Sequence, residues 1–311
     1  MAFLKGFGTY LPARVVGNEE MAALAGVAPG WILNISGIEE RRFAAADETV
    51  ADLATVAARD CLERCKLDAS ALGMVIVAGG TSERYFPGPA ATVAHRLGLS
   101  GAPALDLPMP SAGGLFALAL AARLAAEYGH ILVLGAEKMS TVVQRQPLEP
   151  GIAVLFGDGA GACVVSASGG LAEIVDSVIY SDGAFTEDLR LAFDAPLSMN
   201  GRAVIMQATR KIPRAIAEIL ERHYVAAAEV AAFIMHQANQ NLIDGVARAL
   251  GMSSSARFYS NIRRYGNTSA ASMLIAAAEW SQAAGFHPGE PVVFAGFGAG
   301  FNWGALLARG V

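Results

Sequence analysis

Short runs of consecutive apolar residues alternate along this chain with longer runs in which apolar positions recur every three or four residues. The short runs are Met74-Val-Ile-Val77, Ile131-Leu-Val-Leu134, Phe233-Ile-Met235 and Pro291-Val-Val-Phe294, a length and composition suited to strands buried on both faces. In the longer runs, Val50, Leu53, Ala57, Cys61 and Cys65 fall on one helical face, which places the two cysteines in core packing. The alternation predicts an α/β layered fold. No low-complexity linker divides the chain. The most apolar stretch, Ala112 to Ala122, ends at Arg123 and is followed by Glu127 and His130; it is too short to span a bilayer and predicts a buried helix.

Two glycine-rich segments, Gly157-Asp-Gly159-Ala-Gly161 and Gly296-Phe-Gly298-Ala-Gly300, look like phosphate loops. Each leads into a strand-like run, whereas a dinucleotide fingerprint needs a helix whose N-terminus holds the pyrophosphate. They are expected to be turns that let backbones approach one another.

Composition narrows the class without naming the chemistry. The 311 residues are 54% hydrophobic and 16% charged, with a net charge of −5, so nothing favours nucleic acid or an anionic membrane as a partner. The start Met-Ala-Phe-Leu-Lys-Gly-Phe-Gly lacks the basic opening and apolar core of a signal peptide, and a cytoplasmic location is expected. Three cysteines make no disulfide framework in a chain of this size, and His95, His130, His223 and His287 are scattered, so no metal site is expected.

Candidate chemistry lies in three segments. Ser111 follows Ala104-Leu-Asp-Leu-Pro-Met-Pro at the mouth of an alanine-rich helix, where the positive helix end and the small Ala112, Gly113 and Gly114 leave room for an acyl group. His236 ends the strand-like Phe233-Ile-Met and is the natural base for a serine. Asn267, in Gly266-Asn-Thr-Ser, offers an amide donor. Each residue also has a plain structural reading: Ser111 as a helix cap, His236 as a core histidine, Asn267 as turn chemistry.

Six segments occur in order: Gly8-Thr-Tyr-Leu-Pro12, Gly30-Trp31-Ile with Ser36-Gly-Ile-Glu-Glu-Arg41, Phe156-Gly-Asp-Gly-Ala-Gly-Ala162, His236-Gln-Ala-Asn239, Tyr265-Gly-Asn-Thr-Ser-Ala270 and Gly298-Ala-Gly-Phe-Asn-Trp-Gly304. In these the chain resembles, from end to end, the β-ketoacyl-acyl carrier protein synthase III family of the thiolase superfamily. The resemblance implies a five-layer α-β-α-β-α sandwich of two pseudo-repeated βαβ halves. Residues 1–168 would carry the nucleophile and residues 169–311 the His and Asn. It implies His236 and Asn267 as the catalytic His and Asn, and an oxyanion hole made by the N–H groups of Ser111 and Ala299. Ser111 stands where the family has a nucleophilic cysteine. A natural serine variant and a Cys→Ser replacement both account for that; the unusual Pro108-Met-Pro context favours natural divergence.

The resemblance further implies no tightly bound cofactor, an acyl-coenzyme A or acyl-carrier-protein thioester as substrate, and a homodimer in which Phe86 closes the partner's acyl pocket. Trp31 matches a residue on which the adenine of coenzyme A stacks, but Ile35 and Pro150 replace two arginines that contact it. The basic residue expected after His-Gln-Ala-Asn to receive a carrier protein is absent at Gln240-Asn241; Arg248 and Arg145 are possible substitutes or plain surface charges. The implied activity is acyl loading followed by condensation with a malonyl-type thioester, in fatty acid or polyketide-like biosynthesis. Acyl transfer to an alcohol or amine, and a catalytically silent partner subunit, are the alternatives. An α/β-hydrolase is disfavoured because Met109 stands where its strained elbow needs glycine.

Overall fold

The computed structural model describes residues 1–311. The first half runs β1 (Phe3–Tyr10), β2 (Arg14–Gly17), α1 (Asn18–Ala25), α2 (Pro29–Ser36), β3 (Glu40–Phe43), α3 (Val50–Cys65) and β4 (Leu72–Ala78). It continues with α4 (Pro89–Arg96), β5 (Ala104–Leu107), α5 (Gly113–Tyr128), β6 (His130–Lys138), α6 (Ser140–Val143), α7 (Pro150–Ala153) and β7 (Asp158–Ser166). The second half runs β8 (Ala172–Ser181), β9 (Leu189–Arg190), β10 (Ser198–Met199), α8 (Gly201–Arg222), β11 (Ala232–Met235) and α9 (Gln240–Ala249). After them come β12 (Phe258–Tyr259), α10 (Ile262–Tyr265), α11 (Ser272–Ala283), β13 (Pro291–Gly298) and β14 (Asn302–Gly310).

The ten main strands lie in the order β12-β11-β13-β14-β8-β1-β7-β6-β4-β5. Read outward from the centre, β1-β7-β6-β4-β5 and β8-β14-β13-β11-β12 are the same five-strand pattern, with parallel pairs at the outer edge and antiparallel pairs toward the middle. A short β1–β8 contact, Phe3 to Glu173 and Leu4 to Ala172, joins the two sheets at one margin. Helices α5 and α11 touch strands of both halves and form the central layer. Helices α3 and α4 cover the first sheet outside, and α8, with α9 beside it, covers the second. This is the thiolase-like five-layer sandwich.

Helix α5 forms because Ala and Leu dominate it, and it stops at Gly129, whose φ of +70° suits only glycine well. Its Ala117, Leu118, Ala119, Ala121 and Ala125 are all fully buried, as a helix covered by sheets on two sides requires. Small side chains are what let two helices share so thin a layer.

The glycine runs expected to be turns lie largely within strands, Gly159 and Gly161 in β7 and Gly296 and Gly298 in β13. Their lack of a side chain answers to packing. A Cβ on Gly161 would stand 2.6 Å from the Leu274 side chain of α11, and one on Gly135 of β6 would stand 2.2 Å from the Ala270 carbonyl oxygen. The neighbour at Gly135 is backbone and has no rotamer to yield. Gly135→Ala is therefore expected to lose about 3 kcal/mol or more, read as a lowered urea midpoint or as insoluble protein; wild-type stability in that variant would contradict the close packing.

Candidate active site

Ser111 sits between β5 and α5 with φ at +61°, a left-handed conformation that persists in a non-glycine residue only when its surroundings determine it. Two neighbours do so. The Ser111 N–H donates to Ser269 Oγ at 3.0 Å. On the other side the strand end at Gly298 presses in so closely that a Cβ there would be 2.4 Å from the Pro110 carbonyl oxygen and 3.1 Å from Ser111 Cβ. The Ser111 hydroxyl caps nothing: α5 begins after Ala112 with no side-chain cap. Its neighbour is the Ser269 hydroxyl, 3.4 Å away.

His236 follows directly on β11, its N–H donating to the Ala295 carbonyl of β13 at 2.8 Å. The ring is buried, 1% exposed, edge-on to Phe297 at 5.3 Å. Nδ1 lies 2.7 Å from Ser272 Oγ, which also accepts the Gln237 N–H at 3.0 Å. Burial holds the imidazole pKa down to about 3, so the ring is neutral near pH 7. The Ser272 hydroxyl can donate to Nδ1 or accept from it, and so serves either tautomer.

Asn267 is placed by the turn at Gly266, where φ is +63° and a Cβ would approach the Leu155 carbonyl oxygen to 3.0 Å. Its backbone bonds to Leu155 and Gly157 at 2.9 and 3.0 Å. Its side-chain oxygen accepts the Ser269 N–H at 2.8 Å, which leaves the NH₂ group as the available donor.

One segment therefore ties the three residues together. Asn267 belongs to it, Ser269 contacts Ser111, and Ser272 holds His236. A direct hydrogen bond from Ser111 to His236, as nucleophile–base pairing calls for, is not made; their polar partners are Ser269 and Ser272. Ser272→Ala is expected to cost about 1–3 kcal/mol in urea unfolding, because the buried Gln237 N–H and His236 Nδ1 both lose their partner. A change within error would show that neither depends on that hydroxyl.

Ala299 is in the tight connection from β13 to β14. The connection is pinned by the reciprocal backbone bonds of Asp182 and Phe301, 2.9 and 3.1 Å. Lys211 holds Asp182 at 2.7 Å and lies over the rings of Trp303, Phe185 and Phe301 at 4.1, 4.6 and 5.4 Å. The Ser111 N–H, by contrast, is engaged by Ser269, and that bond must give way before this N–H can hold an oxyanion.

Trp31 and Phe86 are not part of this cluster. Trp31 lies half-exposed on α2, and α2 is tied to α9 by side-chain donors: Asn239 to the Ile35 carbonyl at 2.7 Å, Asn241 to the Ile35 and Asn34 carbonyls at 3.1 and 3.3 Å. Asn241 thus joins two helices where a basic residue was expected. Arg145 donates to the Ala195 carbonyl at 3.1 Å, and Arg248 is exposed on α9. Phe86 is 83% exposed beside Tyr85, whose ring meets Phe193 edge-on at 4.6 Å. Ser269, Ser272 and Lys211 were not singled out in the sequence; each is common in its local context and gains meaning only through its contacts.

The fold and the site define an acyltransferase of the thiolase-like condensing type. The 3-oxoacyl-[acyl-carrier-protein (ACP)] synthase III pattern matches residues 105–183, and its C-terminal counterpart matches residues 220–309. The β-ketoacyl-[acyl-carrier-protein] synthase III of Oleidesulfovibrio alaskensis is 35% identical over 99% of this chain and 98% of that protein. That of Thermosynechococcus vestitus is 36% identical over 98% and 97%. The crystal structure of 3-oxoacyl-[acyl-carrier-protein] synthase III from Aquifex aeolicus superposes with a TM-score of 0.94 at 33% identity, covering 99% of this chain and all of that one. The priming β-ketosynthase of the R1128 polyketide pathway superposes with a TM-score of 0.91 at 29% identity, covering 100% of this chain and 96% of that one. The chain belongs to the β-ketoacyl-[acyl-carrier-protein] synthase III family.

Proposed function

We propose that this protein is a serine-based condensing enzyme. Ser111, in the place of the family's cysteine, takes an acyl group from an acyl-coenzyme A or acyl-carrier-protein thioester. A malonyl-type thioester then enters, and neutral His236 together with the Asn267 NH₂ hydrogen-bonds its carbonyl oxygen. Loss of carbon dioxide leaves an enolate, whose carbon attacks the acyl-Ser111 carbonyl and expels the serine oxygen, which takes up a proton from water to restore the hydroxyl. The N–H of Ala299 steadies the oxyanion, joined by that of Ser111 once Ser269 releases it. The observation that carries this reading is the Asn267–Ser272 segment, which contributes one of the three groups and contacts the other two.

An acyl-serine is an oxoester and a weaker electrophile than a thioester, so condensation asks more of the site than loading does. Transfer to an alcohol or amine is the reading that this chemistry would favour. Intact-protein mass spectrometry with acyl-coenzyme A and acyl-carrier thioesters, followed by malonyl thioester, decides: an acyl adduct discharged with release of carbon dioxide supports condensation. An adduct discharged only by alcohols or amines supports simple transfer. No adduct at all supports a silent subunit.

The two halves, residues 1–168 and 169–311, supply the nucleophile and the His–Asn pair respectively, and the protein works in the cytoplasm as a homodimer. The exposed Phe86, with Tyr85 and Phe193, supports an interface at the acyl pocket, because apolar clusters so exposed on a monomer usually meet a partner. Light scattering at micromolar concentration is expected to give twice the chain mass; a monomer would return Phe86 to an ordinary surface role.

A further inference from the structure

Helix α8 turns its basic residues to solvent with one exception. Arg202, Arg210, Arg214 and Arg222 are exposed, whereas the side chain of Lys211 keeps 15% of its surface. Its ammonium is enclosed by the rings of Trp303, Phe185 and Phe301 at 4.1, 4.6 and 5.4 Å and donates to one carboxylate, that of Asp182, at 2.7 Å. Fixing a lysine in this way costs side-chain freedom. The helix does not need it for docking, since Val204, Ala208, Ile212, Ala215 and Ile216 already bury its inner face.

What Lys211 holds is the connection from β13 to β14. The β8–β14 ladder ends at the Ser181–Asn302 pair, and the two backbone bonds between Asp182 and Phe301 add one rung beyond it. The Asp182 carboxylate is fixed in turn by Lys211 and by the Ala184 N–H at 3.2 Å. Lys211 therefore grips Phe301 twice, through the residue that pairs with its backbone and directly through its ring. From there contacts run two ways into the site. Asn302 accepts the Ser181 hydroxyl and donates to the Ala299 carbonyl, while Phe301 stacks on Phe297 at 5.8 Å and Phe297 meets the His236 ring edge-on at 5.3 Å.

The structure assigns Lys211 as a positioning residue for acyl transfer, one that fixes the Ala299 N–H from outside the site; the assignment rests on the oxyanion role given to that N–H in the proposed function. An oxyanion donor is effective only when it is in place before the charge develops. Gly298 and Gly300 carry no side chain and Ala299 only a methyl, so the connection has little anchor of its own, and its place is imposed from Phe301 and Asn302. Lys211 makes no hydrogen bond to Ser111, His236 or Asn267; it acts through Asp182 and the Phe301 ring. A methionine there would fill the enclosure but attract neither the carboxylate nor the ring faces.

The test pairs hydrogen exchange with acylation kinetics. Lys211→Met keeps most of the stem and removes the charge. It is expected to speed amide exchange in a peptide covering Phe297 to Trp303 by about tenfold or more. Acylation of Ser111 by acetyl- or octanoyl-N-acetylcysteamine thioester, followed by intact mass over time, is expected to slow about tenfold at saturating donor. The donor concentration that gives half the maximal rate should stay within about twofold, because the weakened interaction belongs to the transition state. Lys211→Arg, which keeps a cation for both the carboxylate and the rings, should recover acylation to within about threefold of wild type. Unchanged exchange, acylation of Lys211→Met at the wild-type rate, or a loss confined to the half-saturating concentration overturns the positioning role and leaves the serine nucleophile standing. No adduct on well-folded wild-type protein overturns both. Should Lys211→Met fail to fold, Asp182→Asn, at the more exposed end of the pair, makes the same comparison.

Discussion

Ser111→Ala is expected to abolish acyl-enzyme formation while leaving the protein folded. The substitution keeps the Cβ and the left-handed backbone conformation, keeps the N–H bond to Ser269, and removes a hydroxyl whose one protein contact is 3.4 Å long. The stability change is therefore expected to stay within about 1 kcal/mol. The loss of loading should be complete, since Ser111 carries the one hydroxyl of the turn between β5 and α5; an adduct that moves to the neighbouring Ser269 hydroxyl, 3.4 Å away, would be seen as residual loading. Ser111→Cys separates the two possible fates of the acyl group: a thioester intermediate is the better electrophile, so condensation with a malonyl thioester should hold or rise. If that variant loads but gains no carbon–carbon product, the protein transfers acyl groups to oxygen or nitrogen. An unchanged acyl adduct on Ser111→Ala would dispose of the serine mechanism.

The strands were legible because a strand buried on both faces must be a continuous apolar run; β11 and the core of β6 are examples, each residue buried. The pseudo-repeat was not legible directly. Its equivalences, β5 with β12 and α5 with α11, are matters of position in a sheet or layer, and unrelated side chains can fill the same position. Glycine misled for a related reason. Gly159 and Gly161 look like loop chemistry in a window of sequence, but what removes their side chains is a helix pressed against β7 from far along the chain.

The site divides in the same way. Ser111, His236 and Asn267 each end a strand or turn and open a helix, a local pattern that sequence can show. The residues that orient them cannot be found so. Ser269 and Ser272 look like ordinary small residues at a helix start. Nothing in their spacing announces that one contacts Ser111 and the other holds the imidazole.

His236 should also set how the protein responds to acid. Its pKa is ordinary in the unfolded chain and about 3 in the folded one because burial opposes the charge. Above the unfolded value both states are neutral and the histidine adds no pH dependence. As pH falls below it, the unfolded chain binds a proton that the folded protein refuses, so stability is lost progressively down to the folded pKa. By about pH 4.5 the loss from this group is roughly 2–3 kcal/mol. Glu137 and Asp158 act in the opposite sense, since burial raises both carboxyls and their protonation in the folded state favours folding as pH falls. Comparison with His236→Asn cancels those terms. The wild-type advantage in urea unfolding should shrink, or reverse, between about pH 7.5 and about pH 4.5. Parallel losses in the two proteins would mean that the imidazole is hydrated and titrates normally, and that a neutral His236 cannot be assumed in the condensation step.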